Sequence, residues 1–209
     1  MSKMLAQYEL FKMSENIPGA IVECGVFKGV SLVRWAMYRS LFSSYITKKI
    51  VGFDIFGKFP TPQKSEDKER LEKWFSGKAI GGENQAIQNP GEESISIEQL
   101  TEILKKKGVS ENIDLIKGDV IESIPRYIDE NPELRISLLN LDTDVYEPAA
   151  TILEHLYPRL TVGGILLIDD YAVFPGETKA VDEYFKNKNA KIRKLTFSMT
   201  PSYIIKESN

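Results

Sequence analysis

Acids recur where short apolar runs end. Glu23 ends the run at 20–23, Asp54 the run at 50–54, and Asp119 follows the run at 113–116. Asp142 follows 136–141, and Asp169 with Asp170 follows 165–168. In an open α/β sheet, ligands bind beyond the carboxyl ends of the strands, so these acids converge on one edge. The densest sets are Leu141-Asp142-Thr143-Asp144 and Ile168-Asp169-Asp170-Tyr171. Four carboxylates packed together repel, and their pKa values rise unless a cation neutralises them. An all-oxygen set suits a hard ion such as Mg²⁺, which keeps positions open for water or substrate. The competing reading is structural: Asp144 caps a helix starting near Pro148, and the Asp pair faces solvent.

The turn after the first run is Glu23-Cys24-Gly25-Val26-Phe27-Lys28-Gly29-Val30-Ser31. Gly25 permits a tight turn, and Gly29 permits a close approach of a ligand to the helix start, whose N-terminus favours an anionic group. A dinucleotide fingerprint needs a central glycine where this chain has Phe27. The turn therefore suits a nucleoside cofactor bearing a carboxylate, or is an ordinary strand-to-helix turn. Asp54 suits a pair of ribose hydroxyls. Asp119 can accept from an adenine amino group or cap the helix that follows.

Composition narrows the chemistry further. The 209 residues include 27 Lys+Arg and 30 Asp+Glu, for a net charge of -3. One Cys (Cys24) and one His (His155) exclude an intrachain disulfide framework and a four-ligand structural zinc site, and fit a cytoplasmic protein. The mild acidity argues against nucleic-acid binding, and no apolar run approaches a membrane span. A homo-oligomer stays open.

The elements that must position the acids alternate. Helices are expected at 5–14, 32–42, 96–107, 121–129, 148–160 and 177–186, and strands at 20–24, 50–54, 113–116, 136–141 and 165–168. Two further strands at 192–197 and 202–205 have no helix between them and predict an antiparallel edge hairpin. The fold class is therefore α/β: a seven-stranded, mostly parallel sheet, helices on both faces, in a single domain spanning 1–209. Residues 56–95 break the alternation with eight of the chain's glycines and prolines from Gly57 to Gly91 and one helix near Leu71, Trp74 and Phe75. Such an insertion is a lid over the acceptor or a surface excursion.

The first turn resembles the first motif of class I S-adenosylmethionine-dependent methyltransferases. Together with Phe53-Asp54, the segments Leu141 to Glu147, Leu156-Tyr157-Pro158-Arg159-Leu160 with Gly163-Gly164, Ile168 to Tyr171, and Lys179 to Phe185, it is similar to the macrocin O-methyltransferase family. The resemblance implies a Rossmann-like fold, S-adenosyl-L-methionine with Mg²⁺ or another divalent cation, and a sugar hydroxyl on a small molecule as acceptor. It also implies roles. Glu23, Gly25, Phe27, Gly29 and Ser31 hold the methionine end, Asp54 the ribose and Asp119 the adenine side, while Asp142, Asp169 and Asp170 hold the metal. A carboxylate takes the acceptor proton, Asp142 first and Asp144 as the alternative. Tyr171 and Phe174 line the acceptor pocket or simply pack the loop. Catechol-type O-methyltransferases place acids at the same two strand ends, but this chain has Val145 where they have a lysine. A non-catalytic cofactor-binding module remains the alternative from another class, and an NAD-dependent oxidoreductase is a third, lacking the central glycine and a Tyr-Lys or His proton donor.

Overall fold

The computed structural model describes residues 1–59, 67–69, 72 and 93–207. The expected helix near Leu71, Trp74 and Phe75, and most of the insertion with it, lie outside the described residues.

Helix α1 (Ser2–Ser14) leads into strand β1 (Ala20–Cys24), followed by α2 (Val30–Phe42) and β2 (Ile50–Asp54). Then come α3 (Ile97–Lys106), β3 (Ile113–Lys117), α4 (Val120–Glu130) and β4 (Ile136–Leu141). Helix α5 (Tyr146–His155), β5 (Leu160–Ile168), α6 (Pro175–Phe185), β6 (Arg193–Lys194) and β7 (Ser202–Ile205) complete the chain. The strands form one sheet in the order β3-β2-β1-β4-β5-β7-β6, parallel except for β7, which runs antiparallel to both β5 and β6.

Strand alternation sends successive side chains to opposite faces, and both faces are covered. Val22 and Cys24 of β1, Leu139 and Leu141 of β4, and Leu166 and Ile168 of β5 pack with α4, α5 and α6. Ile21, Leu138, Ile165 and Leu167 point the other way and pack with Leu10 and Phe11 of α1, Trp35 of α2 and Leu100 of α3.

Several boundaries follow local chemistry. Ser96 and Gln99 form the expected capping box on α3. Helix α5 stops at His155, short of the expected 160. Pro158 has no N–H to continue the ladder, and Tyr157–Arg159 close instead as a 3₁₀ turn. The expected strand 192–197 contracts to Arg193–Lys194, because the chain turns where Ser198 N–H donates to the Leu195 carbonyl.

The order of strands fixes where a ligand can sit. From β1 the chain builds outward through β2 and β3, then returns to place β4 on the other side of β1. That reversal opens a crevice at the carboxyl ends of β1 and β4.

Candidate active site

The crevice is a cleft of about 560 Å³. Backbone hydrogen bonds that continue past the strands sew its floor together. Gly25 N–H donates to Phe53 O at 2.9 Å, Asp142 N–H to Cys24 O at 3.0 Å, and Asp169 N–H to Leu141 O at 2.9 Å. Gly25 has φ +94°, and a Cβ there would stand 1.6 Å from the Asp142 carbonyl oxygen. Only glycine lets the first turn pass so close to the end of β4.

The turn after β1 is held from β2. Asp54 is buried and accepts from Phe27 N–H (Oδ2, 2.9 Å) and from Phe56 N–H (Oδ1, 2.7 Å). Phe27 sits at φ +50° and its ring packs on Phe59, 5.5 Å between centroids. Each carboxylate oxygen has a second lone pair, so Asp54 can fix the turn and still accept from a ligand in the cleft.

Glu23 lies behind the cleft wall, fully buried. Its Oε1 accepts from Ser31 Oγ and from Asn140 Nδ2 at 3.1 Å, while Oε2 has no partner. Burial pushes its pKa up to about 8 against the lowering effect of those two bonds. Ser31 faces the cleft; Glu23 does not. Gly29 is also not among the lining residues. It has φ +76°, and a Cβ there would meet Leu100 Cδ1 at 2.7 Å, so its smallness serves the contact with α3 and not the approach of a ligand. Asp119 lines the cleft mouth and caps α4, accepting from Ile121 N–H at 3.0 Å.

The acid edge differs in one respect from the expected set. Asp142, Asp144 and Asp170 bring carboxylate oxygens within 4.8 Å of one another. Asp169 is instead turned to α1, where Lys3 Nζ donates to its Oδ2. Its Oδ1 is buried and unpartnered. Asp144 does not cap α5: the cap residue is Val145, and the buried Asp67 accepts from Tyr146 N–H at 3.1 Å. Asp144 sits at φ +63°, a conformation that Asp tolerates better than most residues and that aims its carboxyl at Asp170. Burial, then the neighbouring acids, raise all three. Asp144 is pushed up to about 8, and Asp142 and Asp170 stand well above the ordinary carboxylate range. As charged groups they are offset only in part by the Lys3 ammonium, and a hard divalent ion satisfies what remains.

Glu177, in the first turn of α6, holds both acid-bearing loops and escaped the sequence reading. It is fully buried; Oε2 accepts from Thr143 and Asp144 N–H, each at 3.3 Å, and Oε1 from Asp170 N–H at 2.9 Å. An acid beside Pro175-Gly176 signalled a helix start; nothing in the spacing said that it turns inward. Lys3 and Gln7, which line the cleft from α1, escaped as well. Their i, i+4 spacing was the only signal, and the expected helix began after Lys3. The two residues expected at the acceptor are not part of this cleft's lining. Tyr171 donates to Asp182 Oδ1 at 2.7 Å, Phe174 is buried as the cap residue of α6, and neither lines the cleft. His155, at the end of α5, is also away from it.

A glycine turn, a buried acid ending β2 and an acid cluster between β4 and β5 all fall within the span of one family pattern: the macrocin-O-methyltransferase (TylF) profile matches residues 5–198. The chain belongs to this family. Its fold is that of class I methyltransferases. Over 164 residues, 77% of the chain, it is 25% identical to an 8-demethyl-8-(2,3-dimethoxy-alpha-L-rhamnosyl)-tetracenomycin-C 4'-O-methyltransferase of Streptomyces olivaceus. It superposes on the calicheamicin methyltransferase CalS11 with a TM-score of 0.78 and 29% identity, over 98% of this chain and 79% of that one. An apo structure described as CalS11, TDP-rhamnose 3'-O-methyltransferase, matches at a TM-score of 0.70 and 28% identity with the same coverage. The chain spans 56–62% of the length of the curated relatives it matches.

Proposed function

We propose that this member of the macrocin-O-methyltransferase family transfers a methyl group from S-adenosyl-L-methionine to a hydroxyl of a sugar carried by a small molecule, with a divalent cation at the acid edge. The observation that carries the reading is the juxtaposition, in one cleft, of the Gly25 turn and the Asp142, Asp144 and Asp170 carboxylates. A cofactor-binding module without catalysis has no use for the second feature. The sugar acceptor rests on the relatives, two of which carry rhamnose in their names.

When bound, S-adenosyl-L-methionine supplies an activated methyl on a sulfonium, and the divalent ion supplies Lewis acidity at the acceptor oxygens. The protein's part is alignment and proton handling. Ser31 and the N–H groups at the start of α2 meet the amino-acid end of the donor, with Glu23 fixing Ser31 from behind. Asp54 accepts from ribose hydroxyls while it braces the Phe27 turn, and Asp119 faces the adenine side. Asp142, Asp169 and Asp170 would hold the ion, Asp169 being paired with Lys3 in its absence. As the methyl carbon bonds to the acceptor oxygen, its bond to sulfur breaks and S-adenosylhomocysteine is left, while the hydroxyl proton passes to a carboxylate, Asp142 or Asp144. Glu177 keeps both loops in register and is a positioning residue.

The direct test is incubation with S-adenosyl-L-methionine and a panel of nucleotide-linked and natural-product rhamnosides, read by mass spectrometry with Mg²⁺ or with EDTA. Methylated sugar formed only with Mg²⁺ is the expected result. Methylation that survives EDTA would remove the ion from the scheme, and a methylated catechol with unmodified sugars would replace the acceptor class.

A further inference from the structure

The acid edge already holds a cation of the protein's own, and it arrives from the other end of the chain. Lys3 and Gln7 lie one turn apart on α1 and both face the cleft. Gln7 is buried and accepts from Arg34 Nη1 at 2.8 Å, which ties that stretch of α1 to α2. Lys3 is half-exposed, yet its ammonium pairs with Asp169, 166 positions away in sequence. Asp142 and Asp170 attract the same ammonium. Asp169 itself is 2% exposed and keeps its second oxygen without a partner.

Two cations at this edge repel each other, and burial of Asp169 leaves little water between them to screen the repulsion. We infer that Lys3 is a tethered counter-cation that competes with the divalent ion for Asp169. Without the ion, the ammonium stabilises the acid edge and pins the first turn of α1. When the ion arrives, Asp169 is drawn to it, the ammonium leaves, and that turn loosens. The inference rests on the reading of this edge as a divalent-ion site. Lys3 acts through Asp169 and is a positioning residue. Because coupling between two sites is reciprocal, removing the ammonium must tighten the ion by the same factor by which the ion loosens the ammonium.

Calorimetric titration of Mg²⁺ into the wild-type protein, Lys3→Met and Lys3→Arg separates the possibilities, with hydrogen exchange of residues 2–7 measured alongside. Met keeps the unbranched stem and the helix preference; Arg keeps the charge. The expected result is Mg²⁺ bound about tenfold more tightly by Lys3→Met, within the usual range for coupled sites, and unchanged by Lys3→Arg. Mg²⁺ should also speed exchange at residues 2–7 of the wild type and leave Lys3→Met unaffected. Equal or weaker binding by Lys3→Met, with wild-type binding intact, overturns the role of Lys3 and leaves the ion site standing. Mg²⁺ bound by none of the three overturns both. If Lys3→Met does not fold, the wild-type exchange decides, and slower or unchanged exchange on adding Mg²⁺ overturns the inference.

Discussion

Glu23, Asp144 and Glu177 show how much of this site depends on carboxyls that the fold keeps from ionising. Glu23 and Asp144 are each pushed up to about 8, above an unfolded value near 4. The sign follows from proton counting. Between those values the native state holds protons that the unfolded state has lost, so stability is full below about pH 4 and declines as pH rises through about 8. The melting temperature of the metal-free protein should therefore fall from pH 5 to pH 8.5, and Glu23→Gln should flatten that slope. A melting temperature that climbs over this range would contradict the assignment. Glu177 is the single acceptor for three N–H groups on two loops. Its replacement by Ala leaves those donors unpaired, at about 1–3 kcal/mol for each group that stays buried. Denaturant unfolding should record a loss of at least ~2 kcal/mol, and Mg²⁺ affinity should fall with it. Asp170→Asn, by contrast, should abolish Mg²⁺ binding and leave S-adenosylhomocysteine affinity close to wild type; joint loss of both would sink the division of roles. The acids at the strand ends were legible because each follows an apolar run. What those runs cannot reveal is the rotamer, which is why Asp144 joins the cluster and Asp169 turns to Lys3.

The elements around the site explain why small residues stand where they do. Gly25 passes within contact distance of the end of β4, and Gly176 would, with a Cβ, meet Asp67 Oδ1 at 2.3 Å. Gly25→Ala combines an unfavourable φ with a collision against backbone, which cannot move aside. A destabilisation of more than ~2 kcal/mol and loss of cofactor binding are expected, measured by unfolding and by calorimetry. Asp67 brings a described part of the insertion onto the N-terminus of α5. Asp67→Ala should cost about 1 kcal/mol, as other helix-cap losses do, and weaken acceptor binding more than donor binding. Equal weakening would show that the segment does not belong to the acceptor side. The alternation of strand and helix was readable from periodicity because each element buries one face. Lys3 at the acid edge was not, since its partner is 166 positions away and no local pattern encodes that distance.

Across the whole molecule, charge is distributed unevenly. The chain carries -3 overall, yet among the described residues seven acidic and three basic side chains line the cleft. A cleft of that sign favours a sulfonium and a divalent ion and disfavours an anionic acceptor until the ion is in place. The topology that gathers the acids was legible as well: five apolar runs ending in acids, set in an alternating chain, can converge only at the strand ends. The share of each ligand in the cleft was not, because it depends on which side chains turn inward. Among the described residues no helix is long and apolar enough to cross a membrane. The central claim is that donor and divalent ion share this cleft. Calorimetry of S-adenosylhomocysteine, with and without Mg²⁺, and of Mg²⁺ alone tests it most directly. The account predicts that both bind and that Asp170→Asn loses only the ion; S-adenosylhomocysteine binding without any Mg²⁺ site would contradict it.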